Sequence, residues 1–247
     1  MKLTILGSGT IVPSLQRSAP SYHLQIGVRQ ILIDCGPGTL IQLEKAKLSY
    51  KDIDMICISH YHIDHISDLN PLISAFKWTP NYNREKDLTI IGPVGFQNFY
   101  ETYIQPLSGS PLPNTYKIII REITDFIEYA EFRIETYKTR HTDNSLAYKF
   151  LENGKIVTLS GDTDFDLGLA QFAKNSDICV LECSFANNGK VAGHLISKEC
   201  GEIAKQASVG KLILSHLYPI PEETRLLETQ QLFLNTILAE DLMTFSI

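Results

Sequence analysis

Ser59-His60-Tyr61-His62-Ile63-Asp64-His65 places four candidate metal ligands within six residues, in the pattern H-x-H-x-D-H. The apolar run before it, Met55-Ile56-Cys57-Ile58, reads as a buried strand. Side chains two apart in extended chain point the same way, so His60 and His62 converge on one ion. Asp64 and His65, on the turn that follows, reach a second. Imidazoles and a carboxylate suit zinc, and the same ligands serve manganese or iron. A structural zinc site would close with four ligands, often cysteines. This cluster has none, which predicts a site open to water and substrate.

The chain of 247 residues is long enough to bury a full-sized core, and a single domain over residues 1–247 is expected. It is 44% apolar and 20% charged, ordinary for a globular protein. No apolar run approaches bilayer length. Met1-Lys2-Leu3-Thr4-Ile5-Leu6 leads directly into a strand pattern, without the features of a signal peptide. The net charge of −6 argues against broad, stable nucleic-acid binding, which rests on many Lys and Arg contacts to phosphate. It leaves room for a phosphate-bearing substrate, because bound metals bring local positive charge. Five scattered cysteines (Cys35, Cys57, Cys179, Cys183 and Cys200) read as buried, reduced thiols of a cytoplasmic protein.

Strands are predicted over residues 2–7, 22–26, 30–34, 54–59, 88–92, 118–123, 131–136, 146–152, 155–160, 178–182, 212–214 and 242–246. Asn153-Gly154 marks a hairpin. Helices are predicted over 40–47, with Thr39 as cap, and over 69–77, 96–104, 165–173, 197–207 and 222–240. Strand groups in both halves, with helices after several of them, imply two packed sheets covered by helices on their outer faces. Residues 105–115 read as a mobile loop.

Of the seven histidines, three lie in the motif. His141, His194 and His216 each stand beside small, polar or turn-forming residues, where further ligands to an open site are expected. His23 lies inside a strand-like stretch and reads as an ordinary packed or surface residue. Asp162, in Ser160-Gly161-Asp162-Thr163, closes a strand. Alone it reads as a turn residue; between two ions its carboxylate can bridge.

These residues, in this order, resemble the metallo-β-lactamase superfamily: His60-x-His62-x-Asp64-His65, then His141, Asp162 and His216. Within it the chain is most similar to the ribonuclease Z-like branch. That likeness rests on Leu6-Gly-Ser-Gly-Thr10, Leu32-Ile-Asp-Cys-Gly-Pro-Gly-Thr39, Ser160-Gly-Asp-Thr163, Glu182-Cys-Ser-Phe185, Gly193-His194 and Leu212-Ile-Leu-Ser-His-Leu217. The resemblance implies an α/β, four-layered αββα sandwich with two divalent ions at one edge of the sheets. It places one ion on His60, His62 and His141, and the other on Asp64, His65 and His216, with Asp162 bridging. His194 falls where the branch carries a histidine that protonates the leaving group, and Asp34 matches an aspartate behind the ligands. One departure matters. Ribonuclease Z carries a long basic arm that grips transfer RNA, commonly between the third histidine motif and the bridging aspartate. Here twenty residues separate His141 from Asp162, and no segment looks like such an arm.

The expected activity is therefore a dinuclear metal-dependent hydrolase, foremost a phosphodiesterase. Two cations about 3.5–4 Å apart share a water and lower its pKa toward neutrality, making it the nucleophile. Asp64 helps orient it, and His194 acts as general acid. The same metal pair would also serve ester, lactone or thioester hydrolysis. A nucleic-acid-binding or regulatory protein with a structural metal site is the non-enzyme reading. Iron oxidoreductases of the superfamily commonly carry glutamate where this chain has His62, which favours hydrolysis. The aromatic segments 76–82 and 100–116 read as packing, or as a rim that stacks a base or closes a homodimer. Lys77, Arg84 and Arg140 read as surface charges within reach of a phosphate.

Overall fold

A computed structural model of the protein describes residues 1–107, 115–220 and 223–247. The chain opens with β1 (Lys2–Gly7), β2 (Ser21–Ile26) and β3 (Arg29–Ile33), which pair antiparallel in succession. Then α1 (Thr39–Lys45) crosses over to β4 (Met55–Cys57), parallel to β3. Helices α2 (Ile63–Ile66) and α3 (Leu69–Trp78) lead to β5 (Leu88–Gly92). A further crossover, α4 (Phe96–Phe99) continued by a π-helical turn at Tyr100–Ile104, leads to β6 (Ile118–Glu122). β4, β5 and β6 are parallel.

The second half mirrors this plan. β7 (Phe126–Glu128), β8 (Arg133–Lys138), β9 (Leu146–Glu152) and β10 (Lys155–Leu159) form an antiparallel meander. α5 (Leu167–Phe172), β11 (Ile178–Glu182), α6 (Ser197–Ala207), β12 (Lys211–Ser215), α7 (Glu223–Gln230) and β13 (Thr236–Leu238) then add parallel strands in succession. Last, β14 (Thr244–Ser246) returns to pair with β1. The sheets run β14-β1-β2-β3-β4-β5-β6 and β13-β12-β11-β10-β9-β8-β7.

Strand alternation explains the layering. Ile213 of β12 points between the sheets, where it joins Leu24, Ile31, Tyr148 and Phe150 in one buried cluster. Its neighbours Leu212 and Leu214 face outward onto Ile203 and Ala204 of α6. On the other outer face, Leu32, Ile56 and Ile90 pack on α1 and α3 through Leu43, Leu72 and Phe76. The order is helix, sheet, sheet, helix, the expected αββα sandwich. No helix among the described residues is long and apolar enough to cross a membrane.

Several expectations are corrected. The helix expected over 222–240 is α7 followed by the strand β13. Ile237 packs into the inter-sheet core and Leu238 onto the outer face, a period of two that pairing with β12 rewards over helical propensity. Thr39 is the first residue of α1 rather than its cap; Gly38 holds that place in left-handed backbone, and the Thr39 hydroxyl donates to Gly36 O. β7 was not foreseen, and the strand expected over 131–136 is β8, two residues later. Most of the loop expected over 105–115 lies outside the described residues. Of the aromatic segments, Phe76, Tyr100 and Tyr116 are buried, leaving Trp78 and Tyr103 exposed. Arg84 is no surface charge. It is buried, its guanidinium lies over the Phe76 ring, and it donates to the carbonyls of Lys51, Ile53 and Asp87.

One buried contact joins the second sheet to the strand that leads into the histidine motif. The Tyr148 hydroxyl donates to Ile58 O at 2.8 Å. Tyr148→Phe should lower unfolding stability by about 1–3 kcal/mol, the cost of an unsatisfied buried carbonyl. Urea denaturation would read this, and an unchanged midpoint would count against the link.

Candidate metal centre

Four candidate ligands lie just beyond a strand, where backbone pairing ends and side chains turn toward the sheet edge, and the other three, His62, Asp64 and His65, are carried at or in α2. His60 follows β4, His141 follows β8, Asp162 follows β10 and His216 follows β12. The parallel strands thus deliver the site at their carboxyl ends, the usual place for a site in such sheets. Local backbone is bent to suit. Asp34 and His216 sit at φ 56° and 55°, left-handed values that cost a non-glycine residue. Gly161, at φ 57°, makes the turn before Asp162, and a Cβ there would lie 2.8 Å from Leu146 O.

The side chains converge in two groups. His60 Nε2 and His141 Nε2 lie 3.0 and 2.9 Å from His62 Nδ1. His216 Nε2 and His65 Nε2 lie 3.4 and 3.9 Å from Asp64 Oδ2. Asp162 sits between the groups. Its Oδ2 is 3.8 Å from His60, 3.7 Å from His141 and 3.3 Å from His216, and its Oδ1 is 3.3 Å from His65. His60, His62, His141 and Asp162 could hold one ion, and Asp64, His65 and His216 another.

The protons follow from the partners behind each ring. His141 Nδ1 faces Gly193 O at 2.9 Å, and a carbonyl only accepts, so Nδ1 carries a hydrogen and Nε2 is the nitrogen turned toward the centre. His65 Nδ1 donates likewise to Asp34 Oδ2 at 2.7 Å. The Ser59 hydroxyl donates to Asp34 Oδ2, so its oxygen accepts from His60 Nδ1 at 3.0 Å. The Ser184 hydroxyl donates to Glu182 Oε2 and so accepts from His216 Nδ1 at 3.0 Å. Four imidazoles therefore turn their Nε2 atoms inward, held by outer partners of the kind that orient metal ligands.

Asp162 Oδ1, His65 Nε2 and His216 Nε2 are buried and make no hydrogen bond. Buried polar atoms without a partner are costly, and here they face one another. A divalent ion in each group is the partner this arrangement fits. Titration agrees. Burial holds His60 well below the usual histidine range, and it lowers His62 too, so both are neutral. Burial also pulls His65 down, but the Asp162 and Asp34 carboxylates outweigh it and raise His65 well above its ordinary value. Burial pushes Asp162 up, yet His216 and His65 hold it well below the carboxylate range. The centre attracts positive charge.

His194 stands at the mouth. Its Nδ1 lies 2.9 Å from Glu182 Oε1. Burial alone would lower its pKa, but the hydrogen bond to Glu182 raises it. An open cleft of about 310 Å³ is lined by Ile11, His62, Ile63, Asp64, His194 and Tyr218, with Asp162 and His216 at its base. Sequence reasoning gave no role to Glu182, Ser184 or Tyr218. A glutamate closing the apolar strand Ile178-Cys179-Val180-Leu181 is the signal that could have exposed Glu182.

Fold and ligand set together define a metal-dependent hydrolase of the metallo-β-lactamase fold, in its ribonuclease Z-like branch. The family model described as "Anti-Pycsar protein Apyc1" matches residues 1–231, and the chain belongs to that family. It is similar to a ribonuclease Z of Listeria monocytogenes, with 30% identity over 100% of this chain and 99% of the relative. It is also similar to the probable metallo-hydrolase YhfI of Bacillus subtilis, 28% identical over 88% of this chain and 87% of that one. The crystal structure of YhfI superposes with a TM-score of 0.87 at 25% identity, covering 99% of each chain. Human tRNase Z, short form, shares the fold at a TM-score of 0.82 and 24% identity, covering 100% of this chain and 99% of that one.

Asp162→Ala should cost both groups their shared carboxylate. Metal content per chain, read by atomic emission, should fall from two ions to one or fewer, and the melting temperature should drop. Retention of two ions would rule out Asp162 as the bridge.

Proposed function

We propose that this protein is a dinuclear phosphodiesterase acting on nucleotide-sized substrates, with zinc in both metal positions. The observation that carries this reading is the pair of ligand groups sharing Asp162. Three histidine nitrogens in one group and two in the other suit zinc. The relatives named ribonuclease Z support phosphodiester cleavage as the reaction class.

Substrate size follows from what the chain lacks. The alignment with the Listeria protein runs over 310 positions, 63 more than this chain has residues. Between His141 and Asp162 stands only the short hairpin β9–β10, closed at Asn153-Gly154 with both residues at positive φ. With the net charge of −6, this supports a small substrate over a stably bound nucleic acid. The five buried, unpaired cysteines fit a reducing compartment such as the cytoplasm.

When bound, the two ions supply an activated water and neutralise charge on the phosphoryl oxygens. The chain's own residues do the rest. Asp64 Oδ2, held near His216, orients the attacking group. His194 gives its Nε2 proton to the departing oxygen, since Nδ1 is engaged by Glu182. Tyr218 forms a wall of the cleft, with the Phe185 ring stacked on it at 5.0 Å and 20°. Ile11 and Ile63, 48% and 63% exposed, give the cleft an apolar rim that a substrate ring can cover.

The deciding experiment is turnover of bis(p-nitrophenyl) phosphate by zinc-loaded protein. Turnover should vanish in His62→Ala and exceed that of p-nitrophenyl acetate. Ester cleavage with no phosphodiester cleavage would overturn the proposal. Tyr218→Leu should raise KM for an aromatic phosphodiester about fivefold or more, from lost stacking, with a smaller change in kcat. A change confined to kcat would show that Tyr218 does not bind the substrate ring.

A further inference from the structure

Lys190 lies outside the metal centre, 34% exposed on the loop between β11 and α6. An ammonium group has three protons to donate. Here each has an acceptor on a different segment: Asp164 Oδ1 at 2.5 Å, Glu199 Oε2 at 2.7 Å and His194 O at 2.8 Å. Asp164 follows the candidate bridge Asp162 by two residues. Glu199 belongs to the first turn of α6 and also accepts from Ile196 N. His194 is the residue assigned above to protonate the leaving group.

The two peptides flanking His194 are fixed by different contacts. On the preceding side, His194 N donates to Val191 O at 3.2 Å and Gly193 O holds His141 Nδ1 at 2.9 Å, while one peptide further back Gly193 N donates to Asp164 Oδ2 at 2.9 Å. On the following side, Lys190 Nζ donates to the His194 carbonyl, its one hydrogen-bond donor among the described residues. The direction of the His194 Cα–Cβ bond is set by both peptides, so Lys190 completes a constraint that Asp164 and Gly193 begin. Glu182 orients the ring but leaves its distance from the cleft to the backbone. Lys190 also keeps Asp164 and Glu199 together; without its charge, two carboxylates that share one nitrogen would repel each other and pull the loop apart.

We propose that Lys190 is a positioning residue for proton transfer: it ties the loops of Asp162 and His194 to α6 and sets the reach of His194 Nε2 to the departing oxygen. The inference rests on His194 being the acid. In that step the attacking water oxygen bonds to phosphorus, the P–O bond to the leaving group breaks as the proton passes from Nε2 to the leaving oxygen, and neutral imidazole remains against Glu182.

The test compares two phosphodiesters that differ only in the leaving group, methyl p-nitrophenyl phosphate and methyl phenyl phosphate. Nitrophenolate departs without a proton, whereas phenolate gains from one. The readout is the ratio of kcat on the phenyl ester to kcat on the nitrophenyl ester, measured on zinc-loaded protein of verified metal content. His194→Ala should lower this ratio by about a hundredfold, the lower end for general acid catalysis. Lys190→Met should lower it in the same direction by about tenfold, and Lys190→Arg, which keeps the charge and several donors, should recover most of it. Equal losses on both esters in Lys190→Met would overturn the proposal, since they would place its effect on the metal centre or the fold. An unchanged ratio in Lys190→Met would overturn it as well. An unchanged ratio in His194→Ala would remove His194 as the acid and the proposal with it, while continued turnover of both esters would leave the phosphodiesterase reading standing.

Discussion

Asp162 is a buried carboxylate with four imidazole nitrogens within 3.8 Å. A charge in that position is tolerable only if opposite charge fills the space between it and the rings. Among the described residues no Lys or Arg pairs with it; its ion-pair partners are all histidines. Divalent ions fit that need, and the surrounding architecture can be read as a means of keeping the donor atoms in place for them. The left-handed backbone at Asp34 and His216 is part of that cost, about 1–3 kcal/mol for each such residue.

The two halves of the molecule solve this in the same way. In the first, the Ser59 hydroxyl gives its proton to Asp34 and accepts one from His60, while Asp34 also holds His65. In the second, the Ser184 hydroxyl gives its proton to Glu182 and accepts one from His216, while Glu182 also holds His194. Each unit is one acid, one serine and two histidines, placed just beyond the strands of its own sheet. Neither alone makes the cleft. The centre exists because the sheets pack face to face and bring the units to one edge.

Much of this was legible in the chain, for physical reasons that differ by element. Runs such as Leu88–Gly92 and Ile178–Glu182 are strands at the expected bounds because apolar, β-branched residues are buried on both faces of a parallel sheet. Residues 236–238 defeated the reading because three residues carry too little periodicity against a helical flank. The motif at His60–His65 was readable because its spacing is local. His141, Asp162 and His216 became candidates for shared ions through the family resemblance, since nothing local joins them. Lys190 was invisible for the same reason: its bond to Asp164 spans 26 residues, and in sequence it is one charge on a polar loop.

The pairing of β14 with β1 joins Thr244 to Thr4 across 240 residues. Contacts that distant form late, because the intervening chain must first be ordered. As the polypeptide leaves the ribosome, the outer edge of β1 lacks this neighbour until the chain through Ser246 has been made. That edge would be a natural grip for a chaperone and a site for unwanted strand addition in nascent or truncated chains.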